Sequence, residues 1–177
     1  DYYDLSERSF YDDNGVKISI KVPTGLVRRK NTINPNTIAF LESKEVVVYI
    51  QKLESANSTA VFDDISYNEI IINWFEDNIG RDLKKIEEMM PSYAKDLKVH
   101  SFIPNLKINN KFFALRISSF KDERNIGTNY EGVMFTEYMF ITYHEGRKYE
   151  VGIQAIGYKT LAEIDSYFQT IGGTITF

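Results

Sequence analysis

The sequence VMFTEYMFITYHEGRKYEVGIQAIGYKTLAEIDSYFQTIGGTITF, residues 133–177, decides the fold. Residues 133–143 are rich in aromatic and β-branched side chains, which favour strands. The tetrapeptide HEGR at residues 144–147 indicates a tight turn, and apolar side chains alternate with others over residues 148–157. The pattern therefore predicts a β-hairpin with one apolar face.

A helix is predicted to follow this hairpin. Thr160 and Glu163 have the spacing of a capping box, in which both side chains satisfy free backbone N–H groups at a helix start. Apolar residues then recur at helical spacing, at Leu161, Ile164, Phe168 and Ile171. Gly172 and Gly173 end the pattern, and residues 174–177 are predicted to add a last strand to a sheet beneath the helix.

The rest of the chain also shows patterns typical of strands and helices. Apolar residues predict five further strands, at residues 16–22, 37–41, 46–53, 99–108 and 111–120. Residues 16–22 alternate cleanly, whereas residues 46–50 are apolar on both faces, which predicts a central strand covered from either side. Residues 66–93 show helical spacing, interrupted at Gly80 and Pro91, so we expect a long helix bent or broken there. Residues 1–11 show no period and are expected to be flexible. The order predicts one α+β domain over residues 1–177, with an antiparallel β-sheet flanked by a long helical segment and a C-terminal helix.

The composition of the chain argues against several classes of function. The chain has 177 residues, 43% of them hydrophobic, which is ordinary globular usage. Its net charge is −4 and its basic residues are scattered, so no nucleic-acid partner is predicted. Without cysteine there is no disulfide and no thiol chemistry. No apolar run approaches the ~20 residues of a transmembrane segment.

The first residue of the sequence is Asp1 rather than Met. We therefore expect a mature or trimmed chain whose signal segment has been removed. The corresponding location is extracytoplasmic, in the periplasm or cell envelope. An upstream lipid anchor is compatible with this expectation.

Three segments resemble the PsbP-like α/β/α sandwich family. They are an opening strand that ends in Pro23, an aromatic hairpin over residues 135–153, and a helix that leads into a terminal Ile-x-Phe segment over residues 161–177. The family includes the extrinsic subunit of the plant oxygen-evolving complex, a Ran-binding nuclear transport relative, and many bacterial secreted or lipid-anchored domains. The resemblance implies a bacterial α/β/α scaffold for binding a protein or a small ligand, rather than a shared chemistry.

Three charged residues fall among apolar neighbours in successive predicted strands, Arg116, Glu137 and Glu150. If these strands form a meander, the three side chains meet on one face of the sheet. There they would form a ligand clamp or a pair of carboxylates of the kind glycosidases use. The alternative is a cross-strand salt bridge on a solvated face.

Tyrosines and one long loop supply the remaining candidates for binding. Tyrosine combines a rigid ring with a polar tip, which suits interaction surfaces. The late strands carry four of them, Tyr138, Tyr143, Tyr149 and Tyr158. The longest irregular stretch is residues 121–132, where Asn125 and Tyr130 are candidate contacts.

No metal or cofactor site is predicted. His100 and His144 lack ligand spacing, although His144 and Glu145 could offer two metal ligands at a hairpin tip. The DDNG sequence at residues 12–15 begins like a calcium loop, but Pro23 occupies the position that would need a glutamate. A plain turn is the expected structure.

These observations lead to a first functional hypothesis, a non-enzymatic binding or assembly module that works through a sheet face or the 121–132 loop. Its partner would be a protein or a small ligand, and its oligomeric state stays open. The rival hypothesis is a hydrolase whose paired carboxylates come from Glu137, Glu150, and either Asp122 or Glu123. A concave pocket with two carboxyls would favour the hydrolase, and a flat aromatic patch would favour the binding module.

Overall fold

The structure is a computed structural model that describes residues 4–30, 34–53, 64–80, 82–157 and 159–177. Its elements follow in the order β1 (Leu5–Tyr11), β2 (Lys17–Pro23), β3 (Val27–Arg28), β4 (Thr37–Glu42), β5 (Val46–Leu53), α1 (Asp64–Asn78), α2 (Leu83–Glu88), β6 (Ala94–Ile108), β7 (Lys111–Asp122), β8 (Met134–His144), β9 (Arg147–Ile156) and α3 (Leu161–Gly172). A short 3-10 helix, Glu123–Asn125, follows β7.

Seven of the strands form one antiparallel sheet in the order β3-β4-β5-β9-β8-β7-β6, and β1 pairs with β2 in a separate two-stranded sheet. The predicted α+β class with an antiparallel sheet is confirmed. The two tightest hairpins turn at Asn109-Asn110 and at Glu145-Gly146, where all four residues have positive φ. This conformation matches the twist of the flanking strands, which explains the Asn and Gly found there.

One face of the large sheet carries the main hydrophobic core. Side chains alternate along each strand, so every second residue of β7 and β9 points to this face. The β1–β2 sheet and α3 cover it. The helix contributes the buried side chains Ile164, Phe168 and Ile171. Each such burial is worth roughly 1.5–3 kcal/mol, so this stripe fixes α3 on the sheet.

The helices α1 and α2 pack on the opposite face, near β6. They form a small cluster with that strand, whose buried members are Ile79, Ile86 and Val99. Phe102 packs against this cluster and pairs directly with Arg116. Directly paired residues of antiparallel strands share a face, so α1, α2 and Arg116 lie on the same side of the sheet. The predicted break of the long helix is confirmed at Gly80, which has a φ of +59°.

Both ends of the chain differ from the sequence expectation. Leu5–Tyr11 is not an irregular segment but strand β1, whose full length pairs with β2. Its period is weak in the sequence because only Phe10 is buried, and the other residues of the strand are exposed or half-buried. Residues 174–177 add no strand to the large sheet. They make a single bridge, between Ser19 and Thr176.

None of the helices within the described ranges is both long and apolar enough to span a membrane.

Candidate functional site

A cavity of about 840 Å³ opens on the face of the large sheet that carries Arg116. Strands β5, β9, β8 and β7 provide its floor. The walls come from the segment before β6, from the loop after β7, and from the β3–β4 edge. Small-molecule sites commonly have volumes of about 300–1,000 Å³, so the cavity has the size of such a site.

A buried carboxylate lies at the centre of the floor. Glu137 in β8 is 2% exposed. Its Oε2 accepts hydrogen bonds from the Tyr49 hydroxyl at 2.8 Å and from Gln154 Nε2 at 2.6 Å. Its Oε1 lies 3.8 Å from Nη2 of Arg116. We call Tyr49, Arg116, Glu137 and Gln154 the Glu137 cluster.

The register of three neighbouring strands brings the cluster together. Glu137 pairs with Gln154 across β8 and β9, and Tyr49 pairs with Gly152 across β5 and β9. A Cβ atom at position 152 would overlap the ring of Tyr49. Glycine in the middle of β9 therefore leaves the space in which the Tyr49 ring lies across the strand and reaches Glu137.

Burial dominates the electrostatics of this cluster. It raises the pKa of Glu137, because a carboxylate loses hydration inside the protein. Arg116 and the hydrogen bonds from Tyr49 and Gln154 act in the opposite direction, and nearby Glu150 adds to the rise. The pKa of Tyr49 is raised well above its usual value by burial and by the charge of Glu137. The Tyr49 hydroxyl therefore stays protonated and donates.

A second carboxylate, Glu150, lines the same cavity. It is 6% exposed and pairs in register with Gln51 of β5. Gln51 Nε2 donates to Glu150 Oε1 at 3.2 Å. The cavity floor thus contains two carboxyl groups, and each of them accepts a hydrogen bond from a neighbouring strand.

The walls are held by charged and aromatic pairs. Arg124 stacks on the ring of Tyr93, with 3.5 Å between the guanidinium carbon and the ring centroid, and it also pairs with Asp122 at 2.8 Å. On the far side, Tyr130 donates to Glu42 at 3.0 Å. The loop of residues 123–132 therefore reaches from β7 across to β4.

Five of the predicted binding residues line this cavity, Arg116, Asn125, Tyr130, Glu137 and Glu150. The predicted meander of β7, β8 and β9 is present, and it brings the three charged residues to one face. That face is a concave pocket rather than a solvated surface. Whether these residues bind a ligand stays a prediction.

Two of the four tyrosines predicted to form an interaction surface are buried. Tyr138 and Tyr149 are fully buried on the opposite face, where their hydroxyls donate to Asp165 at 2.5 Å and to Asp12 at 2.6 Å. Rings with no exposed area cannot form an accessible patch. Tyr143 lies near the end of β8 and is not among the residues lining the cavity, and Tyr158 lies outside the described residues.

The sequence did not single out Tyr49, Gln154 or Gln51. Residues 46–50 look apolar throughout, so Tyr49 was expected to be a core residue of a covered strand. One signal was available: a glycine between alternating residues in a strand marks a close approach of another group. Gly152 is that glycine.

The other polar motifs have local partners. His100 Nε2 lies 2.8 Å from the Ser119 hydroxyl. The DDNG turn surrounds a side-chain cation, because Lys52 Nζ contacts oxygens of Asp12, Asp13 and Asn14. Within the described ranges, no three His, Asp or Glu residues come together as potential metal ligands.

No protein-family model and no curated protein sequence matches the chain. The solved structures to which the chain is similar include two proteins. Protein PA94 from Pseudomonas aeruginosa, of unknown function, has a TM-score of 0.44 and 8% identity, covering 97% of this chain and 96% of its own. The Ran-binding protein Mog1p of Saccharomyces cerevisiae has a TM-score of 0.46 and 10% identity, covering 98% and 96%. We draw no functional conclusion from similarity at this level.

Proposed function

We propose that the protein binds a small molecule in the cavity above the Glu137 cluster. The observation that carries this proposal is the arrangement of three polar side chains around one buried carboxylate. Tyr49 and Gln154 donate to Glu137, and Arg116 lies beside it, so the side chains of Tyr49 and Gln154 are held in place on the floor. Such prior ordering lowers the entropic cost of binding a ligand.

Binding is favoured over catalysis by the position of Glu137. A general acid must come within hydrogen-bonding distance of the substrate atom that it protonates. Glu137 has almost no exposed surface, and Oε2 already accepts two hydrogen bonds. Its geometry suits a residue that orders its neighbours.

A hydrolase is the second candidate, because the cavity holds two carboxyl groups and burial raises the pKa of one of them. A raised pKa is a common property of catalytic acids. If this alternative holds, turnover of a hydrolysable substrate will disappear in Glu137→Gln, while binding of that substrate persists.

A library of small molecules screened by thermal shift and NMR tests the binding proposal. Expected hits stabilise the protein and perturb backbone signals around Arg116 and Gln154. Tyr49→Phe removes a hydroxyl that donates to Glu137, and Tyr138→Phe removes one that donates to Asp165 on the opposite face. The first variant should weaken the hits and the second should not. Hits that map away from the cavity, or that respond equally to both variants, would contradict the proposal.

A protein partner for the same face, membership of the PsbP-like family and an extracytoplasmic location stay predictions from the sequence. The cavity is compatible with a protein partner that inserts one side chain into it.

A further inference from the structure

The acidic side chains of the cavity already have hydrogen-bond donors. Glu137 accepts from Tyr49 and Gln154, and Glu150 accepts from Gln51. The two acidic groups of the wall are paired as well. Glu42 contacts Arg29 and Tyr130, and Asp122 contacts Arg124. The protein itself therefore supplies a donor to each of these carboxylates.

The basic side chains of the floor have fewer hydrogen-bond and ion-pair partners than the acidic ones. The nearest carboxylate oxygen to Arg116 is Glu137 Oε1, 3.8 Å from Nη2, which is longer than a hydrogen bond. The Nε atom of Arg116 is buried and has no hydrogen-bond partner in the described part of the chain. Lys148 also lines the cavity, and no described residue forms an ion pair with it. The Arg116 side chain is 16% exposed and lines the cavity, so its accessible N–H groups can donate to a ligand.

This inference rests on the proposed binding function and names the class of ligand. We propose that the cavity binds a small organic carboxylate, whose carboxyl group is held by Arg116. The planar guanidinium presents parallel N–H groups that match the two oxygens of a carboxylate. The apolar body of the ligand lies against aromatic and sulfur-containing side chains of the floor and walls, including Tyr93, Phe120, Phe135 and Met139.

Other charge types fit less well. A cationic amine would need free carboxylates, but those of the cavity already have donors. A phosphate carries about two negative charges at neutral pH, and it would face two carboxyl groups, Glu137 and Glu150. A monoanion that binds Arg116 meets less of this repulsion.

Calorimetric titration with a matched series tests the ligand class. The probes are 4-phenylbutyrate, its primary amide and 4-phenylbutylamine, with decanoate as an aliphatic carboxylate. The carboxylates should bind wild-type protein about ten-fold or more tightly than the amide or the amine, as expected for a charge-assisted pair of hydrogen bonds. Arg116→Met should remove this preference. Arg8→Met, the same change at an arginine of β1 that binds the Leu26 carbonyl, should keep it.

A measurement on wild-type protein covers the case in which Arg116→Met does not fold. The side-chain Nε–Hε NMR signal of Arg116 should shift on addition of a carboxylate probe and stay unchanged with the amine. If the amide or the amine binds the cavity as tightly as the carboxylate, the ligand class is wrong and the binding function stands. If neither the series nor the library perturbs cavity residues, both proposals fail.

Discussion

Glu137 is a charged residue at a position where an apolar one would cost less to bury. Its carboxylate holds Tyr49 and Gln154 by hydrogen bonds and lies beside Arg116. Removing one member of a buried polar network leaves the others unsatisfied, which usually costs more than the interaction itself contributes. The cluster should therefore respond to substitution as a unit.

The pH dependence of stability reports on this carboxylate. The pKa of Glu137 is raised in the folded protein above its ordinary value of 4.5. As pH rises above about 4.5, the unfolded chain loses this proton first, so the free energy of unfolding falls until the folded pKa is passed. Glu137→Gln cannot titrate and should lose this downward slope. Urea unfolding at a series of pH values measures the difference between the two proteins.

Glu7→Gln is the control for this prediction, since Glu7 is exposed on β1. It makes the same change of carboxyl to amide outside the Glu137 cluster. A difference between Glu137→Gln and wild type that stays constant with pH would show that the pKa of Glu137 is not raised.

Gly152 offers a second test at the level of one residue. In Gly152→Ala, the new methyl group overlaps the Tyr49 ring, which must move away from Glu137. We expect a loss of about 1–3 kcal/mol in the free energy of unfolding, as for other overpacked sites. The same substitution in a Tyr49→Ala background should cost much less, and equal costs in both backgrounds would exclude the clash.

The sequence predicted the polar face better than it predicted the buried tyrosines. Arg116, Glu137 and Glu150 could be placed together because side chains alternate along strands and consecutive strands form a meander. The partners of Tyr138 and Tyr149 are Asp165 and Asp12, which come from other elements of the fold. A tyrosine with a distant hydrogen-bond partner looks the same in sequence as one that faces solvent.

At the scale of elements, α3 approaches the sheet closely at Gly172. Gly172 faces the ring of Phe140 in β8, and a Cβ atom at that position would overlap the ring. Its neighbour Gly173 has a φ of −64°, which any residue can adopt. Gly172 therefore serves helix packing, whereas the sequence indicated only that these glycines end the helix.

Gly172→Ala should push α3 away from the sheet and destabilise the protein by about 1–3 kcal/mol. Chemical denaturation followed by circular dichroism measures this effect. The matched control is Gly25→Ala, because no atom lies within 4 Å of the place that its Cβ would occupy and its φ is not positive. Similar losses in both variants would show that the loss in Gly172→Ala does not come from packing against Phe140.

The capping box shows how far local rules extend. Glu163 accepts from the Thr160 backbone N–H at 2.7 Å and from its hydroxyl at 2.9 Å, as the sequence predicted for this helix start. Such contacts involve residues three apart and can be inferred from spacing alone. The loop of residues 123–132 could not be inferred in this way, because its path depends on the contact between Tyr130 and Glu42.

At the scale of the whole molecule, the two layers flanking the sheet differ in their packing. The α3 side contains the large core, while the α1–α2 side has a small cluster with three fully buried apolar residues among those described. Regions with less buried apolar surface open at lower free energy. The sequence could predict the helices but not this difference, because it depends on how much of each helix the sheet covers.

We expect native-state hydrogen exchange to show this asymmetry. Backbone amides of α2 should exchange through local opening, with lower free energies than amides of β8 and β9. Amides of α3 should lie close to the strands. Equal exchange free energies for α2 and α3 would mean that the molecule opens only as one unit.

The junction between β5 and β9 also has a consequence for folding kinetics. Most pairings in the large sheet join strands that follow one another in the chain, but this junction joins distant residues such as Gln51 and Glu150, which are 99 positions apart. Contacts between distant segments form slowly, because a long loop must close first. Tyr49 contacts Gly152 and Glu137 only after β5 has paired with β9. The cavity should therefore form in the slowest folding phase. The fluorescence of a ligand added during refolding would measure the rate of this last folding step.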